Sequence, residues 1–464
     1  SDVIHIDAAG TSIVVINSAQ AATELLDRRS RIYSSRPPAP MVCDLMGWDW
    51  NFGFQPYGNS WRERRRTFLQ IFHAKAAKQF EPQEKQATAK LLHRLYLKPG
   101  DILSHLHHHA ASIVLSVAYG LDIKPEDDPY VAVSEAAIHP LLQALVPGAF
   151  LVDSLPWLKY VPAWFPGGGF KRKAEESKKL AIQMAQKPFN DGRFLMVFLK
   201  EKRGIPSFIS SALGKINAGQ DRAKQEGVVR DAAAAMYLGI IATLILAMLF
   251  APEVQDKAHE ELDRVIPEGR LPDFTDEESL PYVTAVVKET FRWKNVTPLA
   301  VPHYLEVEDE YNGYRIPAKS IVLGNVWAIL HDERNYPEPF NFKPERYIVD
   351  GKLNFESCRD PTTVAFGFGR RVCPGRYMGY SSVWIGKSWL PWSTHAEILT
   401  LVTHRAAIAS ILKVYKIEKA KDENGNVVEP TYKYLDGLGC IPAPFECSMT
   451  PRSAAAEELI KSSE

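Results

Sequence analysis

A mainly helical α+β chain with small sheets towards both ends is what the sequence predicts, and three observations predict it. Apolar residues recur at helical spacing, with Lys, Glu and Arg on the opposite faces, across most of residues 61–249. Strand-like alternation fills about the first 35 residues, and a second strand-rich stretch, 298–323, carries turn signals at Asn312-Gly313 and Pro317. No Gly/Ser run, low-complexity block or internal repeat divides the 464 residues. They therefore read as one domain, 1–464, although length alone suggests about three. Segregated strands and helices make an α+β plan.

Taken in order, "VIHIDAAGTSIVVI" reads as two strands joined at Ala9-Gly10. Helices are predicted over Trp61–Phe72, Gln83–Leu97, Asp101–Tyr119 and Ala174–Gln186. Ala232–Ala251 has no charge over twenty residues, which passes the length test for a membrane span. Its flanks are mixed-charge helical sequence with no second span, which favours a central helix that is apolar all round. Pro252–Ile266 begins with the proline that suits a first helical turn, and Ser279–Asn295 is a further helix. After Cys373 helical pattern returns, and a hairpin is expected around Asp422–Asn426.

Lys+Arg and Asp+Glu are equal at 55 each, which argues against a general nucleic-acid binder. The five cysteines, Cys43, Cys358, Cys373, Cys440 and Cys447, form no C-x-x-C pair. That excludes a disulfide framework and a zinc pattern and points to a reducing compartment. His105, His107, His108 and His109 include a pair one helical turn apart, but no carboxylate or Cys nearby completes a zinc set, so a polar helix face is expected. "PWLKYVPAWFPGGGFKRK", Pro156–Lys173, mixes aromatic and basic residues as a membrane interface does; the plain alternative is a Pro/Gly-rich connection. The chain starts at Ser1 with neither Met nor an apolar signal, so an N-terminal anchor is read as absent from it.

The strongest chemistry lies in Phe366–Gly375, "FGFGRRVCPG". A haem iron that activates oxygen needs a thiolate, which pushes electron density towards O–O cleavage. A thiolate needs N–H donors and a positive dipole end. Pro374 and the helical pattern after it put Cys373 at a helix N-terminus, where negative charge is favoured. Gly367, Gly369 and Gly375 let the backbone turn tightly against a flat macrocycle. Phe366 can cover the sulfur, and Arg371 can reach a propionate. The plain alternative is a buried free cysteine in a Gly-rich turn.

Phe366-x-x-Gly369-x-Arg371-x-Cys373-x-Gly375 resembles the haem-binding signature of the cytochrome P450 family at every defined position. The likeness covers essentially the whole chain and is nearest to fungal members. It implies a cytochrome P450 fold with haem b, and Cys373 as the iron ligand. Glu289-x-x-Arg292 and the Arg346 of "FKPERY" would form a buried charge network bracing the cysteine loop. Trp61 and Arg65 would contact propionates, and His303, on a strand beside the haem, could add another. The resemblance further implies insertion of one oxygen atom from dioxygen into an apolar organic substrate. Electrons would come from NADPH through a separate NADPH-cytochrome reductase, since no Rossmann or flavin fingerprint is present. The expected location is the cytosolic face of the endoplasmic reticulum membrane.

Two departures stand against the family pattern. The family's central helix carries A-G-x-D/E-T, whose acid and alcohol deliver protons to oxygen. Here Gly239 precedes "IIATLILAMLF", with no acid and with Thr243 one place late. About eight residues are missing, or ~12 Å of helix. In the second departure, 386–405 interrupts the helix after Cys373, with the breaker Pro391 inside it. A mis-spliced gene model explains both, with 190–204 as a third such patch. Two rival readings remain open: a haem-thiolate enzyme that uses peroxide or rearranges an oxygenated substrate, and a non-catalytic haem-binding relic.

Overall fold

The computed structural model describes residues 1–8, 10–146, 148–198, 206–216, 221–236, 242–375, 404–435 and 439–463. Strands β1 (Val3–Ala8) and β2 (Thr11–Ile16) pair antiparallel from Val3↔Ile16 to Ala8↔Thr11. Gly10 takes the left-handed backbone (φ +81°) that so short a turn requires. β2 then lies parallel to β6 (Ile321–Gly324), which also pairs with β3 (His303–Tyr304), giving the order β1-β2-β6-β3. Four two-stranded sheets accompany it. They are β4 (Asp309–Tyr311) with β5 (Tyr314–Ile316), β7 (Ile348–Val349) with β8 (Lys352–Leu353), β9 (Tyr415–Lys419) with β12 (Cys447–Pro451), and β10 (Tyr434–Leu435) with β11 (Ile441–Pro442).

The helical middle includes Asn59–Leu69, Glu81–Leu97, Ile102–Tyr119, Pro129–Ala144, Gly169–Phe198 and Arg222–Ala234. Asp101 caps the Ile102–Tyr119 helix through the Ser104 N–H, and left-handed Gly120 ends it. Ala242–Phe250, Pro252–Val265 and Pro281–Trp293 come next. Their apolar faces join β2, the loop before Cys373 and the His404–Val414 helix in one core.

Several expectations need correction. Strands stop at Ile16, not near residue 35: Ser18 caps Ala19–Ala22, and residues 19–33 are helical turns. Ala21, Ala22, Leu25 and Leu26 sit at helical spacing and are buried, so tertiary packing decides there. The Ala232–Ala251 run is not one helix. Arg222–Ala234 ends in a turn at 235–236, and Ala242–Phe250 is a separate helix in which Leu244–Met248 are fully buried. Among the described residues no helix is long and apolar enough to cross a membrane. The Asp422–Asn426 turn forms, but beyond it there is only one bridge, Lys421↔Val427, and β9 pairs instead with β12. The histidines are not a polar face. His105 and His109 are buried and bond the Lys98 and Ala87 carbonyls, and only His107 is well exposed. The Gly239 motif and 386–403 lie outside the described residues, and His404 and Arg405 open the His404–Val414 helix. Of the third patch, residues 190–198 end the long Gly169–Phe198 helix.

Candidate cofactor site

The cysteine loop is a tight closure. The Cys373 N–H donates to the Phe366 carbonyl at 3.2 Å, and the Gly367 N–H to the Val364 carbonyl at 3.0 Å. Gly367 (φ +83°) and Gly369 (φ +56°) both need the left-handed region. Gly369 has a second reason to be glycine: a Cβ there would stand 1.9 Å from the Leu26 carbonyl oxygen. Its close approach is therefore to the 23–28 backbone rather than to a macrocycle. Phe366 is buried and packs on Phe291 of the Pro281–Trp293 helix, ring centres 5.4 Å apart. Cys373 and Pro374 are half-buried and Gly375 is buried; the stretch expected to be helical after them lies outside the described residues.

Three buried arginines stand beside this loop. Arg65 donates to the Val372 carbonyl at 2.7 Å, which ties the Asn59–Leu69 helix to the residue next to Cys373. Arg371 donates to the Ser34, Phe52 and Gln55 carbonyls. Its guanidinium lies 4.4 Å from the Trp61 ring centre, with Arg65 at 5.3 Å from the same ring. Arg36, which sequence reasoning does not find, donates to the Gly53, Val301 and Pro302 carbonyls. "SSRPP" gives no motif to find it by.

Burial, and then the neighbouring arginines Arg36 and Arg65, push Arg371 down to about 7; burial, and then Arg65, push Arg36 to about 9. A guanidinium keeps its proton in proteins, so this strain acts as a demand for an anion. Carbonyls accept hydrogen bonds but bring no charge. Among the described residues no carboxylate lies within ion-pair distance of Arg36 or Arg371. The donor set thus fits the dianionic edge of a haem. His303 is buried and its Nδ1 meets the Tyr33 carbonyl at 2.8 Å. Nδ1 must donate there, and burial holds the ring neutral, its pKa well below the usual range. Nε2 is the ring nitrogen left for any further partner.

Glu289, Arg292 and Arg346 come together. Arg292 grips Glu289 through two bonds of 2.8 Å, and Arg346 Nε reaches the same carboxylate at 3.2 Å. Glu289 and Arg292 are fully buried, and the Arg346 side chain is 4% exposed. Tyr347 Oη and the Lys343 N–H also donate to Glu289. Arg292 spends its other N–H groups on the Leu330, Pro339 and Asn341 carbonyls. The same helix reaches the cysteine loop through Phe291, and Asn295, two residues past its end, donates its amide to the Ala365 carbonyl at 3.1 Å. Tyr347 and Asn295 are not singled out by the sequence; Tyr347 directly succeeds Arg346, so that motif held the signal.

Thr243 is buried on the Ala242–Phe250 helix. The preceding acid in the described helices, Asp231, is taken: Arg64 (2.7 Å) and Arg230 (2.6 Å) each hold one of its oxygens.

The family model for cytochrome P450 matches residues 1–385. Cytochrome P450 monooxygenase 98 of Postia placenta is 42% identical across 100% of this chain and 86% of its own length. Tryptamine 4-monooxygenase of Psilocybe cyanescens is 38% identical across 100% and 87%. In fold, the chain is similar to a zebra fish cytochrome P450 solved with progesterone, with a TM-score of 0.74 at 19% identity, covering 97% of this chain and 96% of that one.

Proposed function

The chain belongs to the cytochrome P450 family, as a monooxygenase with the mainly helical fold of that family, and from this premise we propose its chemistry: insertion of one oxygen atom from dioxygen into an apolar organic substrate at a haem held by Cys373. The observation that carries the proposal is the closed Phe366–Gly375 loop beside buried Arg36 and Arg371, which meet no carboxylate among the described residues. When bound, the haem supplies oxygen activation, and a cysteine thiolate favours O–O cleavage. Cys373 Sγ would hold the iron, and Arg36, Arg65, Arg371 and Trp61 the propionates. Phe366, locked on Phe291, would keep water from the sulfur.

Haem whose propionates are esterified should therefore bind at least about a hundredfold more weakly than haem, because charge-assisted bonds to arginine are strong. In Arg36→Met and Arg371→Met that gap should narrow. Equal affinity for both haems in the unmodified chain, measured by titration of haem-free protein, contradicts the arginine assignment.

Electrons would come from NADPH through a separate reductase. Exposed Arg62 and Arg370, which meet over the Tyr57 ring beside the cysteine loop, support docking of an acidic partner. Turnover with NADPH and reductase tests the reading. Turnover with peroxide alone favours the peroxide-using rival, which the occupied Asp231 supports. Neither activity in haem-loaded protein leaves the relic.

The location we propose is the cytosolic face of the endoplasmic reticulum membrane. Trp157, Tyr160, Trp164 and Phe165 are 60%, 77%, 80% and 51% exposed, next to Lys171, Arg172 and Lys173. Such a patch suits a lipid interface. Flotation with anionic vesicles should fall several-fold in a variant with Trp157, Tyr160, Trp164 and Phe165 all changed to Ser, each aromatic giving up about 1.5–3 kcal/mol of burial at most. Unchanged flotation removes this patch as the contact.

A further inference from the structure

The Pro281–Trp293 helix holds two different segments on two neighbouring faces. Glu289 and Arg292 share one face and grip residues 339–347. Lys288 and Phe291, also three apart, share the next face and turn to the segment that leads to Cys373. Lys288 is 3% exposed, and its Nζ donates to Asp360 Oδ2 at 2.6 Å and to Thr362 Oγ1 at 3.2 Å, 5.4 Å from the centre of the Phe355 ring. The Thr362 hydroxyl donates in turn to Asp360 Oδ1 at 2.6 Å, and the Thr362 N–H donates to the same oxygen at 2.9 Å. Ammonium, carboxylate and hydroxyl thus close a ring of bonds on the turn at Pro361–Thr363. Burial alone would raise the Asp360 carboxyl, yet Lys288 holds it below the usual carboxylate range, so both partners are charged.

From this ring a series of backbone bonds runs to the cysteine. The Ala365 N–H donates to the Pro361 carbonyl at 2.9 Å, the Gly367 N–H to the Val364 carbonyl at 3.0 Å, and the Cys373 N–H to the Phe366 carbonyl at 3.2 Å. A displacement at Asp360 is therefore passed on from turn to turn. Phe291 and Asn295 hold the same stretch by a ring contact and a neutral amide bond. Lys288 adds a charge-assisted bond, which is about twice as strong as a neutral one.

We propose that Lys288 is a positioning residue for Cys373: bonded to Asp360, it fixes where residues 360–366 lie along the helix, and through them the place of the cysteine sulfur. The inference rests on Cys373 as the haem ligand. A buried ion pair adds little net stability over an apolar pair of the same volume, so its contribution here is a defined placement.

The test compares the haem-loaded full chain with Lys288→Met, with Lys288→Met combined with Asp360→Asn, and with Lys413→Met as a control. Lys413 is likewise buried and paired with an aspartate, Asp263 at 3.2 Å, but on the His404–Val414 helix. The double variant strands no charge, so it decides the matter should Lys288→Met fold poorly. In both Lys288 variants the ratio of the thiolate-type carbon-monoxide band to any other should fall about tenfold, the worth of one charge-assisted bond. Amide exchange over residues 361–373 should quicken by about as much. Lys413→Met should leave both measures as they are in the unmodified chain. Either measure unchanged in the double variant, or an equal fall in Lys413→Met, overturns the proposal. No thiolate-type band in the unmodified chain overturns the haem reading and this proposal with it, which sets that failure apart from one confined to Lys288.

Discussion

Glu289→Ala and Arg292→Ala should each yield protein that is largely unfolded or haem-free, rather than folded protein with slowed chemistry. Both groups are fully buried, and each is the charge partner of the other. Removing Glu289 strands two guanidiniums, Arg292 and Arg346, and leaves the Tyr347 hydroxyl and the Lys343 N–H without their acceptor. Removing Arg292 takes two charge-assisted bonds from the Glu289 carboxylate, leaving it Arg346 alone for charge, and frees the Leu330, Pro339 and Asn341 carbonyls. Breaking a buried pair in this way costs about 3–5 kcal/mol. A domain's whole stability is only about 5–15 kcal/mol. Phe291 and Asn295 pass the damage to Phe366 and Ala365, in the segment that leads to Cys373. Tyr347→Phe removes one neutral donor and should cost only about 0.5–1.5 kcal/mol. Haem content and thermal unfolding check the series. Normal values in both charge variants contradict a bracing role.

The second large effect concerns oxygen use. With NADPH and a reductase, the chain should spend most of its electrons on peroxide, with substrate oxidation lower by about 10²-fold than a coupled enzyme achieves, the usual worth of a positioned proton donor. Asp231 is shared between two arginines, and Thr243 lies between Ala242 and Leu244 with no acid beside it. Inserting Ala-Gly-x-Asp-Thr sequence after Leu238 should raise product per NADPH. Tight coupling in the unmodified chain contradicts this expectation.

The residues that announce the site are contiguous, which is why they could be read. The ten-residue cysteine loop, the Glu289/Arg292 pair on one helix face and the Trp61/Arg65 pair one turn apart all express their geometry in local spacing. The Asp101–Tyr119 expectation matches Ile102–Tyr119 because a capping Asp and a terminating Gly mark both ends. The features that failed to show were settled at a distance. β2 pairs with β6, and β9 with β12, across stretches that carry no local sign of the partner. Residues 19–33 alternate enough to suggest strands, yet fold as helical turns that face the core and press on Gly369. Arg36 reaches the site only through the fold, and the Tyr33 carbonyl that meets His303 Nδ1 lies 270 residues away in sequence.

The central claim is the Cys373–iron bond. It is tested most directly by the carbon-monoxide difference spectrum of the reduced, haem-loaded protein and of Cys373→Ser. A thiolate-type band is predicted in the unmodified chain, with its loss in Cys373→Ser and haem still detectable there. A spectrum in Cys373→Ser that equals that of the unmodified chain, or no thiolate-type band in either, contradicts the claim.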